Sequence, residues 1–425
     1  MHNPNFEHRD ALTTPTGTAH RRGATLNPGN RFEATRLHVL GDEIDRQRAE
    51  RVVDGGDPDT PVRVPLTVIP DRTETIINRV AATSDVPFDW TLNPYRGCEH
   101  GCVYCFARPY HEYLGYSCGL DFETKLVAKH DAPRLLADEL ARPRWKAEPI
   151  VMSAITDVYQ PLERELGLTR QCLEVLAEAR QPVSTMTKGS LVLRDLDLWA
   201  ELSRHRAGRV TVTLVTLDDE LAKSLEPRAA SPRRRLAMIR ELTRAGVEVS
   251  VNIAPVIPGL TDVEVPTIIE AVAEAGAKRA AWVLLRLPYQ LKELFLDWLQ
   301  KSVHPERAEK VESLIRQARG GKLYASGRAV KRIDDDTSRM VATRDVQWHA
   351  EIEAMNAGGC GAGDGRRRRH VGHDRRRGAG AHAEQIKRVF DVYCRKHGLN
   401  RDVRPLSSQH FRRPSPHGQM ALFAG

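Results

Sequence analysis

Residues 209–256, RVTVTLVTLDDELAKSLEPRAASPRRRLAMIRELTRAGVEVSVNIAPV, carry one complete unit of a fold in their spacing. The stretch opens on a run rich in Val and Thr (209–215) and closes on another apolar run (247–256), the β-branched composition that favours strands. Between them Ser231 stands where a helix N-cap belongs, Pro232 at the first helical position, and Gly246 just past the end. A capping hydroxyl, a proline whose missing N–H costs nothing there, and a glycine free to turn left-handed frame a helix from both sides. Two strands joined through a helix run parallel, with a right-handed crossover.

Working outward, the unit repeats. Strand-like runs appear at 149–155, 182–187 and 280–286, and a first strand is expected near DWTLNPY (89–95). Helical patterns separate them: TRQCLEVLAEAR, and LTDVEVPTIIEAVAEAG, in which Asp262 and Gly276 repeat the N-cap and C-terminal frame. Alternation at this pace gives about six units, short of the eight of a complete barrel. No Gly-x-Gly-x-x-Gly opens the first helix, as a dinucleotide fold requires. The expected architecture is α/β, a partial (β/α)6 TIM-type barrel, with an open doubly wound sheet as the alternative.

The 425 residues are 41% hydrophobic and 28% charged, the balance of a soluble globular protein. There is no run of eighteen apolar residues, so no membrane helix is expected. The N-terminus lacks the apolar core of a secretory signal, which points to a reducing, cytoplasmic setting. Residues 1–60 show no sustained apolar period and read as a mostly disordered extension with a short helix in GDEIDRQRAERVV (41–53). The barrel is assigned to 61–305, a helical extension to 306–355, a basic Gly/Arg-rich linker to 356–383, and a short helix and tail to 384–425. From Ala357 onwards fifteen Lys/Arg face five Asp/Glu, a net +10 out of the chain's +8, so the rest sums to about −2. The basic character belongs to the tail, and the barrel does not advertise nucleic-acid binding by net charge.

Directly after the first strand the chain reads NPYRGCEHGCVYCFA (93–107), placing Cys98, Cys102 and Cys105 within eight residues. In barrels, chemistry sits in loops at the carboxyl ends of strands. Two metals suit three clustered thiols. A structural zinc needs a closed fourth ligand, which His100, His111 or Cys118 could supply. An iron–sulfur cluster normally takes four cysteines, and with three it leaves one iron open.

The C-x3-C-x2-C motif with Tyr104 before its last cysteine resembles the radical S-adenosylmethionine (SAM) enzymes. The longer match, from about Asp85 to Pro305, is similar to their subgroup related to spore photoproduct lyase, described as DNA-repair photolyase-like. It rests on NPYRGCEHGCVYCFARPYHEYLG, LDFETKLVAK, TDVYQPLERELGLTR, TKGSLVLRDLDL and LEPRAASPRRRL, in that order. The resemblance implies a 4Fe-4S cluster on Cys98, Cys102 and Cys105, with SAM chelating the open iron. Reductive cleavage of SAM then yields a 5′-deoxyadenosyl radical, with a flavodoxin or ferredoxin as electron donor. It further implies Tyr104 beside the adenine, Lys188 at the cofactor carboxylate and Thr213 at the ribose. Glu226 either binds cofactor or pairs with Arg228. Thr156 and Asp157 occupy the place where many relatives carry a Gly-Gly-Glu stretch for the cofactor amine, and that stretch is absent. The lyase's hydrogen-donating cysteine falls at Ala154, so spore photoproduct itself is not the expected substrate.

The chain closes on PHGQMALFAG, in which Gln419, Leu422 and Phe423 fit the Q-x-x-L-F pattern of peptides that dock on the bacterial sliding clamp. The leading expectation is a radical SAM enzyme, lyase-like, acting on nucleic acid. RNA, peptide or a small metabolite is the alternative substrate, and a non-catalytic zinc-bearing clamp adaptor is the alternative class.

Overall fold

The computed structural model describes residues 65–80, 86–324 and 376–415, together with Gly23, Ala24, Leu26 and Pro28. The helix expected at 41–53 and the Gln419–Phe423 peptide lie outside the described residues, as do 325–375. Among the described residues no helix is long and apolar enough to cross a membrane.

The described residues form ten strands: β1 (Thr67–Pro70), β2 (Ile77–Arg79), β3 (Trp90–Leu92), β4 (Tyr95–Arg96), β5 (Lys125–Ala128), β6 (Ile150–Met152), β7 (Val183–Thr187), β8 (Gly208–Thr213), β9 (Val249–Val256) and β10 (Arg279–Leu284). Seven form one sheet in the order β10-β9-β8-β7-β6-β3-β2. All its pairings are parallel except β2 with β3. The six parallel strands therefore lie side by side in chain order. A doubly wound sheet reverses its strand order at a switch point, whereas a barrel winds in one direction. The sequential order settles the choice for the partial (β/α)6 barrel. A small second sheet, β1-β5-β4, stands beside it.

Parallel register puts paired residues on one face. Thr185, Val210 and Val249 are aligned, as are Thr187 with Val212 and Val251, and these residues are buried. That face packs on helices such as Leu168–Glu178, Leu196–Arg204, Pro232–Arg244 and Val265–Glu274, forming the main core. The opposite face carries Ser184, Met186, Thr211, Ser250 and Asn252, all only partly buried. A closed barrel fills its interior with branched apolar layers. Here the inner face is small and polar, which leaves room for a ligand. A second core lies at the carboxyl ends of the strands, where Val103, Val215, Leu225 and Ile257 meet helices Leu291–Ser302 and Pro305–Gln317.

Helix Pro232–Arg244 has the frame its sequence foretold: the Ser231 hydroxyl accepts from Arg234 N, and Gly246 takes φ +81°. The Asp262 frame is different. A 3-10 turn, Asp262–Glu264, precedes the helix, which starts at Val265. Asp262 instead accepts from Gly259 N at 2.9 Å and meets His382 Nε2 at 2.8 Å. Glu264 at the helix entry accepts from Thr216 Oγ1 and Leu217 N.

The C-terminal helix also departs from expectation. It spans Ala381–Lys396, beginning inside the stretch read as linker. Its Ala383, Ile386, Phe390 and Cys394 are buried and belong to the main core, with Phe390 beside Trp282 of β10. It is an outer helix of the barrel rather than part of a detached tail.

Candidate functional site

The cysteine loop leaves β4 through Gly97, whose φ is +78° and where a Cβ would stand 2.7 Å from a Leu126 methyl. Only glycine fits both conditions. Backbone bonds then pin the loop to its neighbours: Cys98 N donates to Phe122 O (2.9 Å) and Val103 N to Leu225 O (3.1 Å). Glu99 N donates to Gln160 Oε1 at 2.9 Å, and Arg228 N to His100 O at 3.2 Å. Asn93 ties the end of β3 to the residues after β6, its side-chain oxygen accepting from Ala154 N at 3.0 Å and Ile155 N at 3.3 Å. The loop thus sits at the carboxyl ends of β3, β6 and β8.

Cys98 and Cys102 are buried and Cys105 is partly exposed. Burial pushes the Cys98 thiol well up, helped by Asp157, Cys102 and Cys105. Cys102 is pushed up to about 12, by burial first, with Glu226 and Cys105 adding and Lys188 opposing. Each of the three thiols is therefore within electrostatic reach of the other two.

Beside Cys102 lies a buried charge cluster. Glu226 accepts hydrogen bonds from the Tyr104 hydroxyl and from the Arg235 guanidinium, and Lys188 Nζ stands 4.0 Å from it. Burial works against the Glu226 charge, but Arg235 and Lys188 overcome it and hold the carboxyl below its usual range. Lys188 is likewise kept an ammonium against burial, by Cys102 and Glu226. Its Nζ lies 5.8 Å from the centre of the Tyr104 ring, within cation–π range. Arg235 also donates to Thr213 O at 3.1 Å, joining the end of β8 to the cluster. Lys188, Thr213, Glu226 and Tyr104 are thus drawn together around Cys102. The pairing of Glu226 with Arg228 is corrected: Arg228 binds Glu99 at 2.8 Å instead.

Thr156 and Asp157 face the loop's other flank. The Thr156 hydroxyl donates to Gly97 O at 2.5 Å. Asp157 accepts from Thr187 Oγ1 and Lys188 N, both at 2.8 Å, and sits 3.2 Å from His100 Nδ1. Every one of these contacts positions a segment of the site. Through them the β6 loop holds the cysteine loop against the end of β7. His100 joins this network through Nδ1.

Two residues of the site lie within quoted sequence blocks but were assigned no role there. Arg108 and Glu123 form an ion pair in which neither side chain is exposed. Arg108 also donates to Cys102 O (2.9 Å), Cys118 O (3.2 Å) and Gly119 O (2.8 Å). Glu123 accepts from Gly23 N at 2.9 Å and Ala24 N at 2.8 Å, and Leu26 packs into the same core as Cys102 and Val103. Three residues of the stretch read as disordered, Gly23, Ala24 and Leu26, are therefore seated beside the cysteine loop. The signal available in sequence was faint: Arg108 and Glu123 stand in two separate blocks, and nothing local pairs them.

A family model described as the radical SAM superfamily matches residues 92–272. An uncharacterised protein of Mycobacterium tuberculosis is 37% identical over 246 residues, 57% of this chain and 72% of that protein. The chain belongs to the radical SAM superfamily. A radical SAM Nalpha-GlyT isomerase of Pseudomonas phage M6 is 26% identical to this radical SAM protein over 230 residues, 54% of this chain and 46% of that protein. Among solved structures, spore photoproduct lyase complexed with dinucleoside spore photoproduct is similar at a TM-score of 0.46 and 14% identity, over 75% of this chain and 92% of the other.

Membership of the radical SAM superfamily implies SAM and an iron–sulfur cluster, and the residues fit both. The donors are three thiols on one loop, soft ligands of the kind such clusters take. Among the described residues no three His, Cys, Asp or Glu side chains group around a single ion. A cluster binds each thiolate to a separate iron, so its ligands need not meet at one point. Since the Cys98 and Cys102 thiols are pushed up, loading displaces protons from them. The partly exposed Lys188 ammonium beside the buried Glu226 carboxylate and Arg235 guanidinium suits a zwitterionic amino-acid moiety such as that of SAM.

Proposed function

We propose that this radical SAM protein holds a 4Fe-4S cluster on Cys98, Cys102 and Cys105 and binds SAM among Tyr104, Lys188, Thr213 and Glu226. The observation that carries the reading is the pairing of a partly exposed Lys188 with the buried Glu226 at 4.0 Å, both charged and within electrostatic reach of Cys102. Bound together, the two cofactors supply reductive cleavage of SAM to a 5′-deoxyadenosyl radical, which takes a hydrogen from the substrate. The protein's part is to bind, orient and exclude water. Lys188 offers its ammonium to the cofactor carboxylate, and Thr213, at the end of β8, faces the ribose. Tyr104, held by Glu226, packs beside the adenine. Asp157, Thr156 and Gln160 keep the cysteine loop in place.

The electron comes from a reduced flavodoxin or ferredoxin. Cys105 is the least buried of the three cysteines and adjoins the exposed Phe106, which marks the accessible flank of the loop. The substrate in this reading is a nucleic acid, supported by the motif blocks shared with the spore photoproduct lyase-related subgroup. Ala154, in place of that lyase's cysteine, argues against spore photoproduct itself. Whether the outcome is a lyase or an isomerase reaction follows from the substrate. Docking of Gln419, Leu422 and Phe423 on the sliding clamp belongs to the same proposal.

The test is anaerobic reconstitution with iron and sulfide, reduction, and assay of 5′-deoxyadenosine released from SAM. Release is expected from the native protein and not from the Cys98, Cys102, Cys105→Ala variant. Lys188→Met is expected to load iron normally yet bind SAM at least about tenfold more weakly. Zinc at one per chain, with no iron uptake, would overturn the reading.

A further inference from the structure

Beyond the C-terminal helix the chain does not leave the barrel. Residues 399–415 run as a strap across the ends where the strands begin, opposite the cysteine loop. Asn400 N donates to Lys278 O at 3.0 Å, and its side chain brackets Ala280 at the start of β10, accepting from N at 3.1 Å and donating to O at 2.9 Å. Arg209 at the start of β8 donates to Arg404 O at 2.8 Å, and Ser407 N donates to Arg206 O at 2.9 Å. Arg412 N reaches Ala179 O before β7 at 2.7 Å. Arg413 reaches Leu140 O at 3.2 Å and Trp145 O at 3.0 Å, before β6.

This route lines up cations that lie far apart in sequence. The strap contributes the exposed Arg404 and Arg412, and the turns it crosses contribute the exposed Arg142, Arg144, Lys146 and Arg206. Among the described residues none of these six pairs with a carboxylate. The local acids are already engaged: Glu248 by Arg209 and Arg279, Glu201 by Arg204 and His205, and Glu148 by the Trp90 indole. Glu178 and Asp402, both exposed, are the opposing charges on the same segments. The near-neutral sum of the barrel therefore conceals a segregated surface. Arg404 and Arg412 are eight residue steps apart, which limits their separation to about 29 Å, a length along which duplex nucleic acid presents a charge every ~1.7 Å.

We infer that this ridge binds the sugar–phosphate backbone of a nucleic acid. It forms a second contact face on the far end of the barrel from the cysteine loop. Five of its six cations are arginines, whose planar forks bind phosphate oxygens in pairs. The face holds the polymer by charge, without reading its sequence. An anionic membrane would need apolar anchors beside the charges. On the strap Leu406 and Phe411 are drawn inward, and Val403 alone of its large apolar side chains is exposed. DNA and RNA share the backbone chemistry, so both enter the test. The face needs neither cofactor nor turnover, and its test is independent of the radical reading.

The experiment titrates the full chain into labelled short duplexes of DNA and of RNA at several salt concentrations. It is repeated with a variant carrying Arg142→Gln, Arg144→Gln, Arg404→Gln and Arg412→Gln. These side chains are exposed and unpaired, so the unfolding temperature stays unchanged. The variant is expected to lose at least about tenfold in affinity, and its slope of log K against log salt to flatten by about 3. Arg233→Gln with Arg240→Gln, on the outer helix Pro232–Arg244, serves as the control and leaves the slope nearly intact. Equal binding by the fourfold variant, an equal loss per charge in the control, or binding to phosphatidylserine vesicles but to neither duplex would each overturn the inference.

Discussion

The guanidinium of Arg108 lies 2.5 Å from the carboxylate of Glu123, and water reaches neither side chain. Arg108 gathers the carbonyls of Cys102, Cys118 and Gly119, while Glu123 gathers the amides of Gly23 and Ala24. One ion pair therefore joins three segments of chain at the cysteine loop. Removing a single partner strands a buried charge, which costs about 3–5 kcal/mol. Glu123→Ala is expected to lower unfolding stability by that amount in urea titration and to reduce the iron retained after reconstitution. Replacing both together, Arg108→Met with Glu123→Leu, is expected to restore part of the stability, because no lone charge remains.

Gly101 makes the seat for the N-terminal segment. Its φ is +69°, and a Cβ there would stand 2.8 Å from Glu123 Oε2 and 3.0 Å from Gly23 N. Gly101→Ala is expected to displace Gly23 and Ala24 from Glu123 while leaving the barrel folded. Trypsin should then cut after Arg22 faster than in the native protein. The reconstituted protein should also lose its broad absorption near 400 nm sooner in air. Unchanged cleavage and bleaching rates would show that the seat tolerates a methyl group.

The strands could be read from sequence because each is a short Val- and Thr-rich run bounded by helix frames. The helix Pro232–Arg244 shows why: cap, proline and glycine are all local signals. Asp262 failed as a cap because a tertiary contact competed. Its carboxylate is taken by Gly259 N and His382, and the latter is far away in sequence. The three cysteines were visible as a motif. Glu226 was read as a cofactor contact or a partner of Arg228, whereas its ion-pair partner is Arg235, one helical turn into the next helix. The roles of Arg108, Glu123 and the strap were not legible. They act through backbone carbonyls and amides of distant segments, and no spacing rule records those.

Asp157 makes stability depend on pH. Burial favours its neutral form, but His100 and the hydrogen bonds from Thr187 and Lys188 N prevail and bring it to about 2, from 3.8 in the unfolded chain. A carboxyl lowered by folding stabilises the protein above its unfolded value, and that contribution fades as pH falls towards the folded one. The difference is worth on the order of 2 kcal/mol. Asp157→Asn removes it. The stability advantage of the native chain over this variant should be constant above pH ~5 and shrink as pH falls from about 4 to 2. Urea midpoints measured across that range for the metal-free proteins decide the matter; a gap that does not narrow would place the charge elsewhere.

Phe390 tests whether the C-terminal helix is structural. The ring is 4% exposed, 6.3 Å from the Trp282 ring, and the helix around it packs on Val265–Glu274. Emptying such a site costs the lost burial and leaves a cavity, together about 3–5 kcal/mol. Phe390→Ala is expected to lower stability by that much, whereas Val392→Ala, at a position 54% exposed on the same helix, should change it by less than about 0.5 kcal/mol. Deletion of residues 376–425 would uncover Trp282 and Ile268 together, so the shortened chain should bind hydrophobic dye and aggregate. If it instead stays monomeric with an unchanged unfolding midpoint, the helix is dispensable to the barrel.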